Sequence, residues 1–135
     1  MQPDTQSIPK KKSWTGRIMS AIALLFLFFD SVIHLVVINP VVESFKQLGY
    51  PVELAITLGI IELGCLILYV IPRVSVLGAI LLTGYLGGAV ATQLRIGAPL
   101  FSTALFPIYV GILVWGGLYL RDERLRALIP LQTDK

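Results

Sequence analysis

Three ionisable residues lie inside otherwise apolar segments of the sequence. Asp30 and His34 belong to FLFFDSVIHLVVI, and Glu62 belongs to AITLGIIELGCLILYVI. An ionisable side chain in hydrocarbon costs roughly 3 kcal/mol or more, so such residues usually face the interior of a helix bundle, pair with one another and mark a functional site. Asp30 and His34 are spaced i, i+4, which places them on one face of a helix. These residues are therefore the first candidates for a site.

The chemistry that these residue types allow is proton exchange beside a bound molecule. Histidine changes its protonation state near neutral pH, and Asp30, one helical turn away, is placed to orient the His34 ring. A quinone head group suits such a site, because its reduction requires protons next to its oxygens. The alternative interpretation is structural: the same side chains pair across helices and fix the bundle.

The residue inventory limits other chemistries. His34 is the single histidine and Cys65 the single cysteine, so one chain cannot supply bis-His haem ligation, a disulfide or a thiolate metal cage. Asp30, His34 and Glu62 resemble a metal site only if a third helix completes it. We therefore predict no metal and no obligatory cofactor, with quinone as the candidate ligand.

The composition is that of an integral membrane protein. Hydrophobic residues make up 56% of the 135 residues and charged residues 14%, and the mean hydropathy is +0.81. A soluble domain of this length could not bury so much apolar surface in one core. The predicted pI of about 9.2 is then explained by membrane topology, and nucleic-acid binding is not expected.

The apolar runs predict an all-α, four-helix membrane bundle. Each run approaches the roughly 20 residues that a helix needs to cross the bilayer. The predicted spans cover residues 17–38, 52–71, 74–94 and 104–120, between a flexible tail at 1–16 and a tail at 121–135 that contains a short surface helix. The loop after the first span contains apolar residues at helical spacing, which predicts a short interfacial helix.

The positions of lysine and arginine predict the orientation of this bundle. Four spans put both termini and the Arg73 turn on one side, which then holds nine of the eleven basic residues, whereas Lys46 and Arg95 lie on the other side. Such an asymmetry places the basic side in the cytoplasm. Both termini are therefore expected to be cytoplasmic.

Helix periodicity extends the candidate site to further residues. Ser20, Ala23 and Leu27 share a face with Asp30 and His34, so this stripe is expected to face other helices. Gly84 and Gly88 form a small-xxx-small pair, which predicts close packing against another helix. On the third span, Tyr85 and Gln93 lie on one side and Arg95 at the end. The predicted polar pocket consists of Asp30, His34, Glu62, Tyr85, Gln93 and Arg95.

These segments resemble the DoxX-like family of small four-span bacterial membrane proteins. The resemblance extends from about Ser13 to Pro130 and is carried by FDSVIHL, IIELGCLILYVIPR, GYLGGAVATQLRIGAPLF and GILVWGGLYLRDERLRALIP. It implies a multi-pass protein of the bacterial inner membrane, distantly related to the membrane subunit of thiosulfate:quinone oxidoreductase and to DoxX proteins of redox-stress complexes. No catalytic residue follows from it.

The resemblance and the polar residues together favour a subunit of a redox system, either an accessory subunit or one that associates with a quinone or a lipid. Two alternatives stay open: a noncatalytic membrane scaffold or assembly partner, and a small-solute transporter that acts as an oligomer. The expected partners are the lipid bilayer, a membrane or redox protein, and further copies of the chain. Whether the protein is an enzyme stays open.

Overall fold

The computed structural model describes residues 10–129, and these residues form six α-helices joined by turns. The helices are α1 (Lys10–Val36), α2 (Asn39–Leu48), α3 (Leu54–Val70), α4 (Ser75–Arg95), α5 (Phe106–Arg121) and α6 (Glu123–Leu128). A 3₁₀ turn at Pro72–Val74 joins α3 to α4, and a single π-helical turn at Leu100–Ala104 precedes α5. The expected all-α fold is confirmed for this part of the chain.

The four long helices form a closed ring. Helix α1 packs against α5 and α3, and α4 packs against the other sides of α3 and α5. The short α2 lies at the end of the bundle where α1 ends. The short α6 lies at the opposite end, where Arg124 donates a hydrogen bond to the carbonyl oxygen of Pro72. The ring therefore has a basic end, near α6, and an α2 end.

Three helical segments of the described residues are long and apolar enough to cross a membrane: Lys10–Val36, Pro72–Arg95 and Leu100–Arg121. In hydrocarbon a helix satisfies its backbone polar groups internally, which is why continuous apolar runs take this form. Helix α3 is apolar but has 17 residues, or roughly 26 Å at about 1.5 Å per residue. A fourth crossing, by α3, therefore stays a prediction.

The polar stripe of α1 faces the bundle, as its spacing predicts. Ser20, Ala23 and Leu27 are buried, whereas the neighbouring Phe28 and Phe29 are 55% and 65% exposed. The outward direction of these large apolar side chains is typical of a helix that faces lipid.

The close helix contacts lie at other glycines than those predicted. A Cβ built on Gly84 or Gly88 meets no atom of the described chain within 4 Å. A Cβ on Gly16 would lie 2.6 Å from the carbonyl oxygen of Gly117, and one on Gly78 would lie 2.6 Å from the Cα of Tyr69. Within the described residues, the missing side chains of Gly84 and Gly88 leave open space, so their predicted packing against another helix stays a prediction.

The helix boundaries differ from the predicted spans by one or two residues, and by more at the start of α1. Helix α1 already includes Lys10, the first residue that the structure describes, and no proline interrupts the chain from there to Pro40. Residues 10–16, assigned above to the tail, are therefore helical, and the remainder of that tail lies outside the described residues. Helix α5 begins at Phe106, after the π-helical turn, with its proline in the first turn.

Candidate functional site

Asp30, His34 and Glu62 come together between α1 and α3. One ligand atom from each side chain lies within 4.8 Å of those of the other two. Gly59, one turn before Glu62, permits this approach, because a Cβ there would lie 3.1 Å from the Cβ of His34 and 3.1 Å from the carbonyl oxygen of Ser31. The backbones of α1 and α3 thus approach closely beside the three ionisable groups.

The His34 ring is fixed by its own helix. Its Nδ1 lies 2.7 Å from the carbonyl oxygen of Asp30 and 3.4 Å from the Asp30 carboxylate. A carbonyl oxygen only accepts hydrogen bonds, so Nδ1 carries a proton and donates it. In the neutral ring, Nε2 is then the nitrogen with a lone pair, able to accept a proton or a hydrogen bond.

Glu62 is fully buried, and one of its carboxyl oxygens lacks a partner. Oε2 accepts a hydrogen bond of 3.2 Å from the Tyr85 hydroxyl, whereas Oε1 has no hydrogen-bond partner among residues 10–129. A buried polar atom without a partner costs about 1–3 kcal/mol. The neighbouring Asp30 carboxyl can share a proton with Glu62, and a molecule bound in the adjacent cavity can also satisfy the buried oxygen.

A cavity of about 780 Å³ lies against these groups. The four long helices and the π-helical turn line it, and α2 covers one end through Phe45 and Leu48. Apolar and aromatic side chains such as Phe26, Phe106 and Val110 form most of its wall. Its volume lies in the range of about 300–1,000 Å³ that is usual for small-molecule sites.

The cavity brings together most, but not all, of the residues of the predicted pocket. Asp30, His34, Glu62, Tyr85 and Gln93 line it. Arg95 does not: as the last residue of α4 it is exposed, donates a hydrogen bond to the carbonyl oxygen of Leu48 and lies over the Tyr50 ring, 5.8 Å from its centroid. A long cationic side chain at a helix end extends toward the polar side, away from the apolar interior. Arg95 is therefore not among the residues that line the cavity, and its predicted part in the pocket stays a prediction.

Sequence reasoning missed the residues that α2 and its following turn contribute. Phe45 packs edge-to-face on His34, with ring centroids 5.8 Å apart, and the Tyr50 hydroxyl lies 2.9 Å from the Thr92 hydroxyl. The helical spacing of Val41 and Phe45 signalled that α2 has a buried face. That this face covers a polar cavity depends on the path of the chain, which the spacing does not contain.

The arrangement can hold a metal ion or an organic head group. Two carboxylates and an imidazole are ligands suited to divalent transition metals. The same groups, together with the Tyr85 hydroxyl, offer hydrogen-bond donors and acceptors at one end of an apolar chamber. Because all of them lie between helices, any bound molecule would be held largely out of water.

Comparison with known proteins places the chain in a family. Neither a curated protein nor a solved structure gives a match. A family model does match: that of the DoxX-like family, over residues 18–117, about three quarters of the sequence. The matched region begins in α1, ends in α5 and includes every residue of the Asp30, His34 and Glu62 cluster. The chain therefore belongs to the DoxX-like family.

Proposed function

We propose that the protein binds a lipid-soluble molecule with hydrogen-bonding oxygens on its head group, of the quinone class, and exchanges protons with it. The observation that carries this proposal is the pair of adjacent carboxyls of Asp30 and Glu62 at the wall of a cavity of about 780 Å³, where Glu62 is fully buried and its Oε1 has no partner in the described chain other than the Asp30 carboxyl. A ligand hydroxyl or, when Glu62 is protonated, a ligand carbonyl satisfies that atom.

The walls of the cavity support a head group that is apolar on its faces and polar at its edges. Phe26 and Phe106 stack edge-to-face with ring centroids 5.1 Å apart and line the cavity on one side. His34 and Glu62 supply a proton-exchanging pair at the polar end. A quinone ring, with oxygens at opposite edges of a flat apolar body, combines these two requirements.

The proposed setting is the bacterial inner membrane, with α3 as the fourth span and both termini in the cytoplasm. The basic end of the bundle supports this orientation, because it gathers Arg17, Arg73 and Arg121, whereas the α2 end holds Lys46 and Arg95. In this setting the protein acts as an accessory subunit of a redox system, and electrons come from a partner protein.

The test is to purify the protein in lipid nanodiscs from cells that make quinones, extract the lipid and quantify bound quinone per chain. Glu62→Gln keeps the side-chain volume but removes the ionisable oxygen. Glu43→Gln is the matched control, because Glu43 is exposed on α2 and does not line the cavity. We expect near-stoichiometric quinone in the wild type and in Glu43→Gln, and at least a tenfold loss in Glu62→Gln.

Equal amounts of bound quinone in all three proteins would refute a role for Glu62. A folded wild-type protein without bound quinone would refute the proposal. A wild-type protein that contains no quinone but binds another polypeptide in fixed stoichiometry would instead favour the function of a noncatalytic scaffold. The structure offers the scaffold less support, since Gly84 and Gly88 border a cavity and Leu125 of α6 packs back into the bundle, 2% exposed.

A divalent metal ion is the second candidate, favoured by the three ligand atoms within 4.8 Å. Metal analysis of the same nanodisc samples distinguishes the two. About one Zn²⁺, Mn²⁺ or Fe²⁺ per chain that is lost in His34→Ala, together with no quinone, would select the metal.

A further inference from the structure

We infer that the ligand enters the cavity from the hydrocarbon of the bilayer, through a lateral opening on the lipid-facing side of α4 at Gly84 and Gly88, and that it carries an apolar tail that stays in the lipid. This inference rests on the proposed function, because it names the route and the class of molecule for the same cavity. It assigns to these glycines a role that helix packing does not explain.

Gly84 and Gly88 lie between the cavity and the outer surface of the protein. Both line the cavity, both are exposed, and a Cβ built on either meets no atom within 4 Å. Leu77 and Leu81, earlier on the same face of α4, are exposed but do not line the cavity, so this face reaches the outside of the protein and the cavity opens there. With i, i+4 spacing the two glycines stack along α4, so the opening extends over about one helical turn, or roughly 6 Å.

The surface around this opening is apolar. Leu77 and Leu81 continue the same face of α4 and are 48% and 43% exposed. Gly84 is the tenth residue of a 21-residue helix, about 14 Å from its start, and Gly88 is about 20 Å from it. In a helix that crosses about 30 Å of hydrocarbon, both positions lie at the depth of the acyl chains. The opening therefore faces lipid tails.

A second exposed rim of the cavity exists at the α2 end. Ser102 and Thr103 of the π-helical turn line the cavity and are exposed. Entry there would be from the aqueous side, and it would suit a water-soluble molecule. The entry route thus indicates the class of ligand. A molecule with an isoprenoid or acyl tail fits the opening at Gly84 and Gly88, whereas a water-soluble molecule without a tail fits the rim at Ser102.

The experiment compares exchange rates of two probes with the protein in nanodiscs: a tritiated benzoquinone with a long isoprenoid tail and its tail-less, water-soluble analogue. Gly84→Leu/Gly88→Leu fills the opening. The matched control is Gly64→Leu/Gly87→Leu, which adds the same side chains at two helix glycines with open space that do not line this cavity. Thr103→Leu narrows the aqueous rim.

We expect exchange of the tailed probe to slow at least tenfold in Gly84→Leu/Gly88→Leu, and to change less than twofold in the control and in Thr103→Leu. Wild-type exchange in the filled variant, or slowing only in Thr103→Leu, would overturn the lateral route while leaving the proposed function intact. Failure of the wild type to bind either probe would refute the proposed function itself.

A measurement without any ligand tests the opening by itself. Gly84→Cys in a Cys65→Ala background places a thiol where a Cβ has free space. A lipid-soluble maleimide is expected to label this thiol, and a charged, membrane-impermeant thiol reagent is expected to react at least tenfold more slowly. The reverse preference would show that water fills the opening and would contradict entry from lipid.

Discussion

Two chemically identical substitutions, Gly78→Ala and Gly64→Ala, are expected to change stability in opposite directions. A Cβ on Gly78 would lie 2.6 Å from the Cα of Tyr69 and 2.8 Å from the carbonyl carbon of Leu68, both of which are backbone atoms of α3. These atoms cannot yield without separating α4 from α3. A Cβ on Gly64 meets nothing within 4 Å.

The magnitudes follow from two opposing contributions. Replacing glycine by alanine within a helix gains about 1 kcal/mol from helix propensity, and overpacking a close contact costs about 1–3 kcal/mol or more. At Gly64 the first contribution acts alone, so stabilisation of about 0.5–1 kcal/mol is expected. At Gly78 the backbone clash dominates, and we expect destabilisation of about 1–2 kcal/mol.

The assay is reversible unfolding in mixed micelles by titration with a denaturing detergent, with both variants measured beside the wild type. The predicted separation of about 1.5–3 kcal/mol exceeds the error of such titrations. Equal effects at the two positions, or greater stability of Gly78→Ala, would refute the packing of α3 on α4 described here.

Three further predictions concern single contacts and use the same assay. Tyr69→Phe removes the hydroxyl that donates to the carbonyl oxygen of Val114 at 2.7 Å and pairs with the Ser20 hydroxyl at 2.8 Å, and is expected to cost about 1–2 kcal/mol. Gly49→Ala is expected to cost about 1 kcal/mol, because Gly49 ends α2 with a φ of 75°, which L-residues adopt unfavourably. Asp122→Ala is expected to cost about 1 kcal/mol at neutral pH, because its carboxylate caps α6 by accepting from the backbone N–H groups of Arg124 and Leu125.

The Asp122 prediction carries a pH dependence. Burial raises the pKa of the Asp122 carboxyl, but hydrogen bonds and the charge of Arg124 lower it by more, so the pKa lies below its usual range. A depressed folded-state pKa stabilises the fold at neutral pH, and this contribution is lost as the pH falls through the folded pKa, below about pH 4. The difference between wild type and Asp122→Ala should therefore shrink in acid; a difference that grows there would contradict the capping geometry.

The predictions for Tyr69→Phe and Gly49→Ala each have a control variant in the same chain. Tyr109→Phe removes a hydroxyl that donates to the carbonyl oxygen of Phe101 at an exposed position, so it should cost less than Tyr69→Phe. Gly49→Asn should cost less than Gly49→Ala, since asparagine tolerates the left-handed region better. Equal costs within either pair would contradict the stated cause.

The sequence predicted those features that depend on spacing within one helix. Asp30 and His34 share a face because they are four residues apart, and the buried stripe of Ser20, Ala23 and Leu27 follows from the same period. Glu62 stands in the middle of an apolar run, which indicates an interior position wherever α3 lies. Such statements need no knowledge of which helices are neighbours.

Features that depend on neighbouring helices could not be read in this way. Arg95 and Tyr85 are both polar residues of α4, but Tyr85 donates a hydrogen bond to Glu62 at the cavity wall, whereas Arg95 reaches the end of α2. Their spacing of ten residues puts them on different sides of the helix and at different depths. Only the position of α2 over the α4 terminus decides the partners of Arg95.

Glycine shows why the same sequence signal has two structural outcomes. Gly59 and Gly88 are both small residues within apolar helices, one turn from a polar residue of the cavity. At Gly59 another backbone fills the space, and this contact holds His34 beside Glu62; at Gly88 no atom lies within 4 Å, and the cavity reaches the surface. A missing side chain specifies only that space is available, and the neighbouring chain decides whether a helix occupies it or a ligand can. For this reason Gly59→Leu should disrupt the polar cluster itself, whereas Gly88→Leu should leave the cluster intact and affect only access to it.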